Sequence, residues 1–170
     1  MIIVEKVLKD VLDNKLSEIT QVGGTAKFTP SFDFGTPTDL TRFLDSQRKE
    51  KTAFYPLIWL DTNFVLSGNR RPTAPITLVL AVTSNHTKAN RTRLVESFEY
   101  YLQPLFDDLI STLDLCKSLK IVQRDSIKTT NYYNYGSDLL GKEDAQGNID
   151  TIWDAIKLEI TIELTGCQCG

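Results

Sequence analysis

The residues best suited to chemistry in this chain are three cysteines, Cys116, Cys167 and Cys169, and a single histidine, His86. A closed zinc site needs four ligands, and these four residues would just supply them. The usual pair spacing is C-x₂₋₄-C, however, and TGCQCG has C-x-C, so the spacing does not support a metal. An odd count with two cysteines near one end is no disulfide framework either. Cys116 follows the apolar run Leu109, Ile110, Leu113, Leu115 and reads as a buried thiol. His86 sits in SNHTKANRT, a polar stretch before a helix, and reads as a solvated loop residue with no nucleophile elbow to serve. Asp107 and Asp108 occupy adjacent helix positions, face different ways, and read as a wet face. Glu143 and Asp144 fall in a polar stretch. General acid–base work needs carboxylates in apolar pockets, and neither pair has such neighbours. Gly23-Gly24 lacks any phosphate-loop frame. No cofactor and no enzymatic reaction is therefore expected.

Binding offers more. Tyr132, Tyr133 and Tyr135 cluster in NYYNYG, and Tyr100-Tyr101 lie on a helical stretch. Tyrosine interleaved with Asn and Gly suits contact loops, where a rigid apolar ring carries a polar tip. The same residues could equally pack back onto their own sheet. Charge is also uneven. Residues 62–93 hold Arg70, Arg71, Lys88, Arg91 and Arg93 and no acid, a net of +5. Residues 138–164 hold seven acids, Glu143 and Asp144 among them, against Lys142 and Lys157, a net of −5. Opposite patches on one chain suit a head-to-tail contact, which closes into a ring if the rotation allows. The bland alternative is two solvated faces. The candidate contact residues are thus Arg70, Arg71, Arg91, Arg93, Tyr132, Tyr133, Tyr135, Glu143 and Asp144.

The elements that must position these residues follow from periodicity. Val4, Val7, Leu8, Val11 and Leu12 predict an amphipathic helix over 3–18. Residues 25–34 alternate loosely and predict a strand interrupted at Pro30. Thr38-Asp39 can cap a helix over 39–50. FYPLIWL (54–60) predicts a short strand, demoted by Pro56 to an edge or a bulge at its start. Residues 61–73 make a polar connection of hairpin character. Residues 74–84, apolar on both faces, predict a central strand. A long helix over 88–113 should be kinked or split at Pro104. Residues 119–130 read as a strand, and 131–150 as a loop too long for a mere connection. Ile156, Leu158, Ile160, Ile162 and Leu164 alternate with polar residues in a strand with one wet face.

The expected fold class is α+β: a mixed or antiparallel sheet with the N-terminal helix and one long, Pro-kinked helix packed on one face. One domain of 170 residues with projecting arms at 62–75 and 131–150 accounts for the whole chain. With 41% apolar and 24% charged residues it can bury a sizeable core. A net charge of −3 argues against a nucleic-acid coat and against a basic membrane-surface protein. No run approaches the roughly 20 apolar residues of a membrane helix. The acid-bearing start is neither a secretory signal nor a transit peptide, so a cytosolic origin is expected.

This plan resembles that of the small ring-forming neck proteins of tailed bacteriophages, including tail terminator and tail-completion proteins. FYPLIWLDTNF (54–64), SNHTKANRTRLVESFEYYLQPLFDDLI (84–110) and IWDAIKLEITIEL (152–164) look similar to structural proteins of phages and prophages of gut Bacteroidetes, among them crAss-like phages. The resemblance covers most of the chain in plan and rests on no catalytic motif. It implies a virion subunit, made in the bacterial host's cytoplasm, that forms a six- or twelvefold ring of its own copies. That ring would touch portal, neck and tail proteins and surround the DNA channel, with no chemistry to carry over. The CQCG end departs from the pattern. Two alternatives stand beside it. One is a small cytosolic ligand-binding domain or enzyme with a pocket near Tyr101, Trp59 and Trp153. The other is a DNA-binding adaptor using Arg70, Arg71, Arg91 and Arg93.

Overall fold

A computed structural model of the chain describes residues 4–15, 19–20, 27–50, 56–85, 87–135 and 151–165. The N-terminal apolar spacing forms helix α1 (Val4–Lys15), and Val4, Leu8 and Leu12 are its buried stripe. Two residues each form β1 (Ile19–Thr20) and β2 (Lys27–Phe28), an antiparallel pair. Pro30 then separates β2 from β3 (Ser31–Gly35), where the sequence predicts the break.

Helix α2 (Pro37–Glu50) begins earlier than expected. Thr36, not Thr38, is the cap. Thr36 Oγ1 accepts the Asp39 amide at 3.3 Å, and Asp39 Oδ2 accepts the Thr36 amide at 3.0 Å and its hydroxyl at 2.6 Å. This is a capping box with Pro37 in the first turn, where a fixed φ helps and a missing N–H costs nothing. Gly35 lies just before this corner. A Cβ there would come within 2.8 Å of Trp59 Cζ2 and 2.9 Å of Asp39 Cβ. Space, not backbone freedom, demands glycine. Gly35→Ala is expected to cost about 1–3 kcal/mol through overpacking, read as a lower urea midpoint at unchanged slope; an unchanged midpoint would contradict this packing.

Strands β4 (Leu57–Asp61) and β5 (Thr73–Asn85) pair antiparallel, and β3 pairs parallel to β4 on its outer side. The proline-led strand is therefore interior. Pro56 escapes the ladder by lying one residue before it, where a missing N–H breaks no rung. Its carbonyl accepts the Ser31 amide at 2.8 Å.

The long helical stretch has three segments: α3 (Asn90–Arg93), a π-helix (Leu94–Leu102) and α4 (Gln103–Asp114). The wide turns precede Pro104, and the Gln103 amide reaches the Phe98 carbonyl, five residues back. The proline thus falls in the first turn of α4, so the mismatch it imposes is taken up ahead of it.

The predicted strand over 119–130 is two strands. β6 (Leu119–Val122) ends at Gln123 (φ 53°), a 3₁₀ turn follows at Arg124–Ser126, and β7 (Lys128–Tyr135) begins. The tyrosine cluster predicted as loop is therefore β-strand through Tyr135. The strand bulges at Asn134, whose φ is 71°. Asparagine tolerates that left-handed region better than most residues. The last strand, β8 (Thr151–Leu164), pairs with β5, β6 and β7.

The six-stranded sheet runs β3-β4-β5-β8-β6, with β7 also on β8, and is mixed because only β3–β4 is parallel. The fold is α+β, as the periodicities indicate. α1, the π-helix and α4 cover one face, over Leu60, Leu78, Leu80, Leu158 and Ile160. α2 covers part of the other, over Trp59, Val79, Ala81, Trp153 and Ala155. The expectation that one face of β8 is wet holds only for its second half. Trp153 and Ala155 are buried on that face because α2 lies over them.

Candidate interaction surface

The basic residues of 62–93 do not form one patch. Arg93 is buried: its Nε donates to Asp154 Oδ2 at 3.1 Å and its Nη2 to Asp154 Oδ1. Both side chains are almost fully enclosed, at 3% and 0% exposure. Asn90 Oδ1 accepts a third Arg93 hydrogen bond at 3.4 Å, and the guanidinium stands 5.2 Å from the centre of the Tyr133 ring, within cation–π range. Phe98 packs on the same ring at 4.9 Å. Arg93 and Phe98 are five residues apart, and the wide π turns bring both onto Tyr133. Arg93 is thus withdrawn from the expected contact surface, because its charge is neutralised inside the chain. Arg71 lies 3.7 Å from Glu163, and Lys88 pairs with Glu96. The Arg93–Asp154 and Arg71–Glu163 pairs therefore join the predicted basic and acidic stretches within one chain. Arg70 and Arg91 are exposed and have no acidic partner among the described residues.

The tyrosines divide by face. Tyr132, 37% exposed, stands edge-on to Tyr135 at 5.4 Å. Tyr135 packs against the α2-side core, and burial pushes its phenol above the ordinary 10.0, with Lys157 opposing. Tyr133 is half-buried over Arg93. The strand β7 thus uses two tyrosines in packing and presents one outward. Glu143 and Asp144 lie outside the described residues, as do His86, Cys167 and Cys169 and so most of the four-ligand constellation. Tyr101, Trp59 and Trp153, expected around one pocket, are held apart: Tyr101 packs on the long-helix side, against Phe28, and both tryptophans lie under α2. Both tryptophan Nε1 atoms are buried without a hydrogen-bond partner among the described residues.

Three of the exposed large apolar side chains sit at one corner. Phe34 is the penultimate residue of β3, and Val65 and Leu66 lie on the excursion over 62–72 that joins β4 to β5. Val65 is 74% exposed. The Thr62 amide donates to the Gly35 carbonyl at 3.0 Å and ties the excursion's base to the end of β3. Ser67 and Thr73 exchange backbone bonds at 2.8 Å, closing a tip that turns at Gly68 (φ 99°). The expected arm therefore spans 62–72, and 73–75 belong to β5.

No protein-family model matches the chain, and no curated protein matches it. No helix among the described residues is long and apolar enough to cross a membrane.

The uncovered half of the sheet carries Lys157 and Glu159, whose side chains meet at 2.7 Å. The hydrogen bond from Lys157 holds Glu159 below its ordinary 4.5 and raises Lys157 in return. The Thr36 hydrogen bonds hold Asp39 below 3.8. Both carboxyls are more acidic folded than unfolded. Their contribution to stability is complete above the unfolded values and is lost as pH falls through the lower folded ones. The urea midpoint should therefore drop on acidification below pH 4.5, and the drop should be shallower in Thr36→Ala and Glu159→Gln. Equal slopes in all three proteins would contradict the assignment.

Proposed function

We propose that this chain is a structural subunit that assembles with its own copies into a ring at the head–tail junction of a tailed bacteriophage. The observation that carries the reading is the 62–72 excursion: a hairpin-tipped arm, free of acids, that exposes Val65 and Leu66. Adjacent apolar side chains exposed at the base of a closed hairpin tip suit a surface that a partner covers. The sequence's resemblance to ring-forming neck proteins supplies the partner and the place. The internal pairing of Arg93 and Arg71 narrows the charge argument to Arg70, Arg91 and the acids that face outward. Steering by those charges serves docking more than affinity.

Negative-stain microscopy of the purified chain, concentrated at low salt, tests this. Annular particles of one symmetry with an axial opening are expected. Particles no larger than one chain at every concentration would overturn it.

A further inference from the structure

A groove of about 450 Å³ runs between α4 and the chain around β7. Its apolar floor is Phe106, Ile110 and Ile127. Asp107 and Ser111 form the helix wall, and Arg124 stands opposite. Arg124 is already engaged by Asp114 at 2.7 Å, and Asp125 follows it. One carboxylate, Asp107, therefore lines the groove, opposite a guanidinium that Asp114 already neutralises. Asp107 accepts one bond, from Gln103 at 3.0 Å, and stays exposed. Asp108, beside it, is half-buried, and burial raises its carboxyl above the ordinary 3.8, so this helix face is not uniformly wet.

The 62–72 excursion carries the matching chemistry: Val65 and Leu66 exposed, Arg70 without an acidic partner among the described residues, two arginines and no acid. It leaves the sheet between β4 and β5, whereas the groove lies against β7, beyond β8. Its Arg71 is held at its own chain's β8 through Glu163. The arm and the groove thus lie to either side of β8. A contact between unlike surfaces repeats from copy to copy and closes as a ring when the rotation allows.

We propose that the excursion of one copy seats in the α4–β7 groove of the next, with Val65 and Leu66 on the apolar floor and Arg70 against Asp107. This rests on the ring reading and names the surfaces that make the ring. Apolar anchors inside a charged rim are the usual anatomy of such contacts.

The test uses the full chain with Cys116, Cys167 and Cys169 changed to Ser. One preparation carries Asn69→Cys, beside the anchors, and another Ser111→Cys, both on exposed positions. Mixed at low salt and oxidised with diamide, the two are expected to give heterodimers that neither gives alone, and the double variant a ladder of covalent oligomers. In the native background, Arg70→Glu and Asp107→Lys should each raise the concentration needed for assembly by about tenfold, and together restore it. Circular dichroism and the urea midpoint must match the parent for each variant. Normal assembly with no cross-link and no charge effect overturns the docking while leaving the ring reading intact. Cross-linking of Ser111→Cys chains to one another overturns it in favour of a two-fold contact. A parent chain that never assembles overturns both.

Discussion

Asp154→Ala is expected to destabilise the chain by about 3–5 kcal/mol, because it leaves the Arg93 guanidinium buried without its anion. Arg93 is 3% exposed and cannot swing into water without dragging α3 and the π-helix off the sheet. The loss measures the stranded charge, not the net worth of the pair. Desolvating both ions offsets much of their attraction, so Arg93→Met with Asp154→Leu should recover most of the stability. Urea denaturation of the single and double variants separates the two. A single variant within about 1 kcal/mol of the parent, the range of an exposed pair, would mean that the pair is solvated. Tyr133 should loosen with the pair, since its ring rests on Arg93 and Phe98; a fall in near-ultraviolet dichroism of the Asp154→Ala protein would register it.

That pair also shows where sequence reading stops. Summing charge over 62–93 and 138–164 places Arg93 and Asp154 in opposed patches, and the fold uses each to cancel the other. A signal was available: Asp154 interrupts IWDAI at a position whose neighbours two along, such as Ile156, face the core. An acid at an inward position needs a partner. Strict periodicities carry through: α1, the both-face apolar strand β5 and the alternating β8 lie where their spacing puts them. The parallel β3–β4 pair does not, because pairing partners distant in sequence leave no local trace. The π-helix does not either, since a widened turn shifts the face by one residue and mimics an ordinary helix in outline. The tyrosine-rich strand reads as loop because Asn and Gly outweigh it locally; the ladder to β8 overrides propensity. Of the predicted contact residues, Arg70, Arg91 and Tyr132 stand outward, and Tyr133, Tyr135 and Arg93 are drawn into packing. The groove beside α4 requires the turn at Arg124–Ser126, which no pattern announces.

Leu158→Ala should cost about 2–5 kcal/mol, and Leu66→Ala almost nothing. Leu158 is fully buried at the centre of β8, opposite Leu78 on one side and Thr129 on the other. Truncating it removes transfer energy and leaves a cavity that a three-strand ladder cannot close. Leu66 is 40% exposed on the excursion and loses little on truncation. Its stability change should fall within about 0.5 kcal/mol. The contrast matters for function. If the excursion exists to meet another copy, Leu66→Ala should weaken assembly while the isolated fold is untouched. A large loss of stability in Leu66→Ala would instead make that leucine part of its own chain's core.

Sedimentation of the purified full chain at low salt, across a wide concentration range, bears most directly on whether these surfaces were shaped for identical neighbours. The expected result is one species whose mass is an integral multiple of 19.2 kDa. Its population should fall as salt rises and screens the charged rim. A sole species of 19.2 kDa at the highest attainable concentration would contradict it.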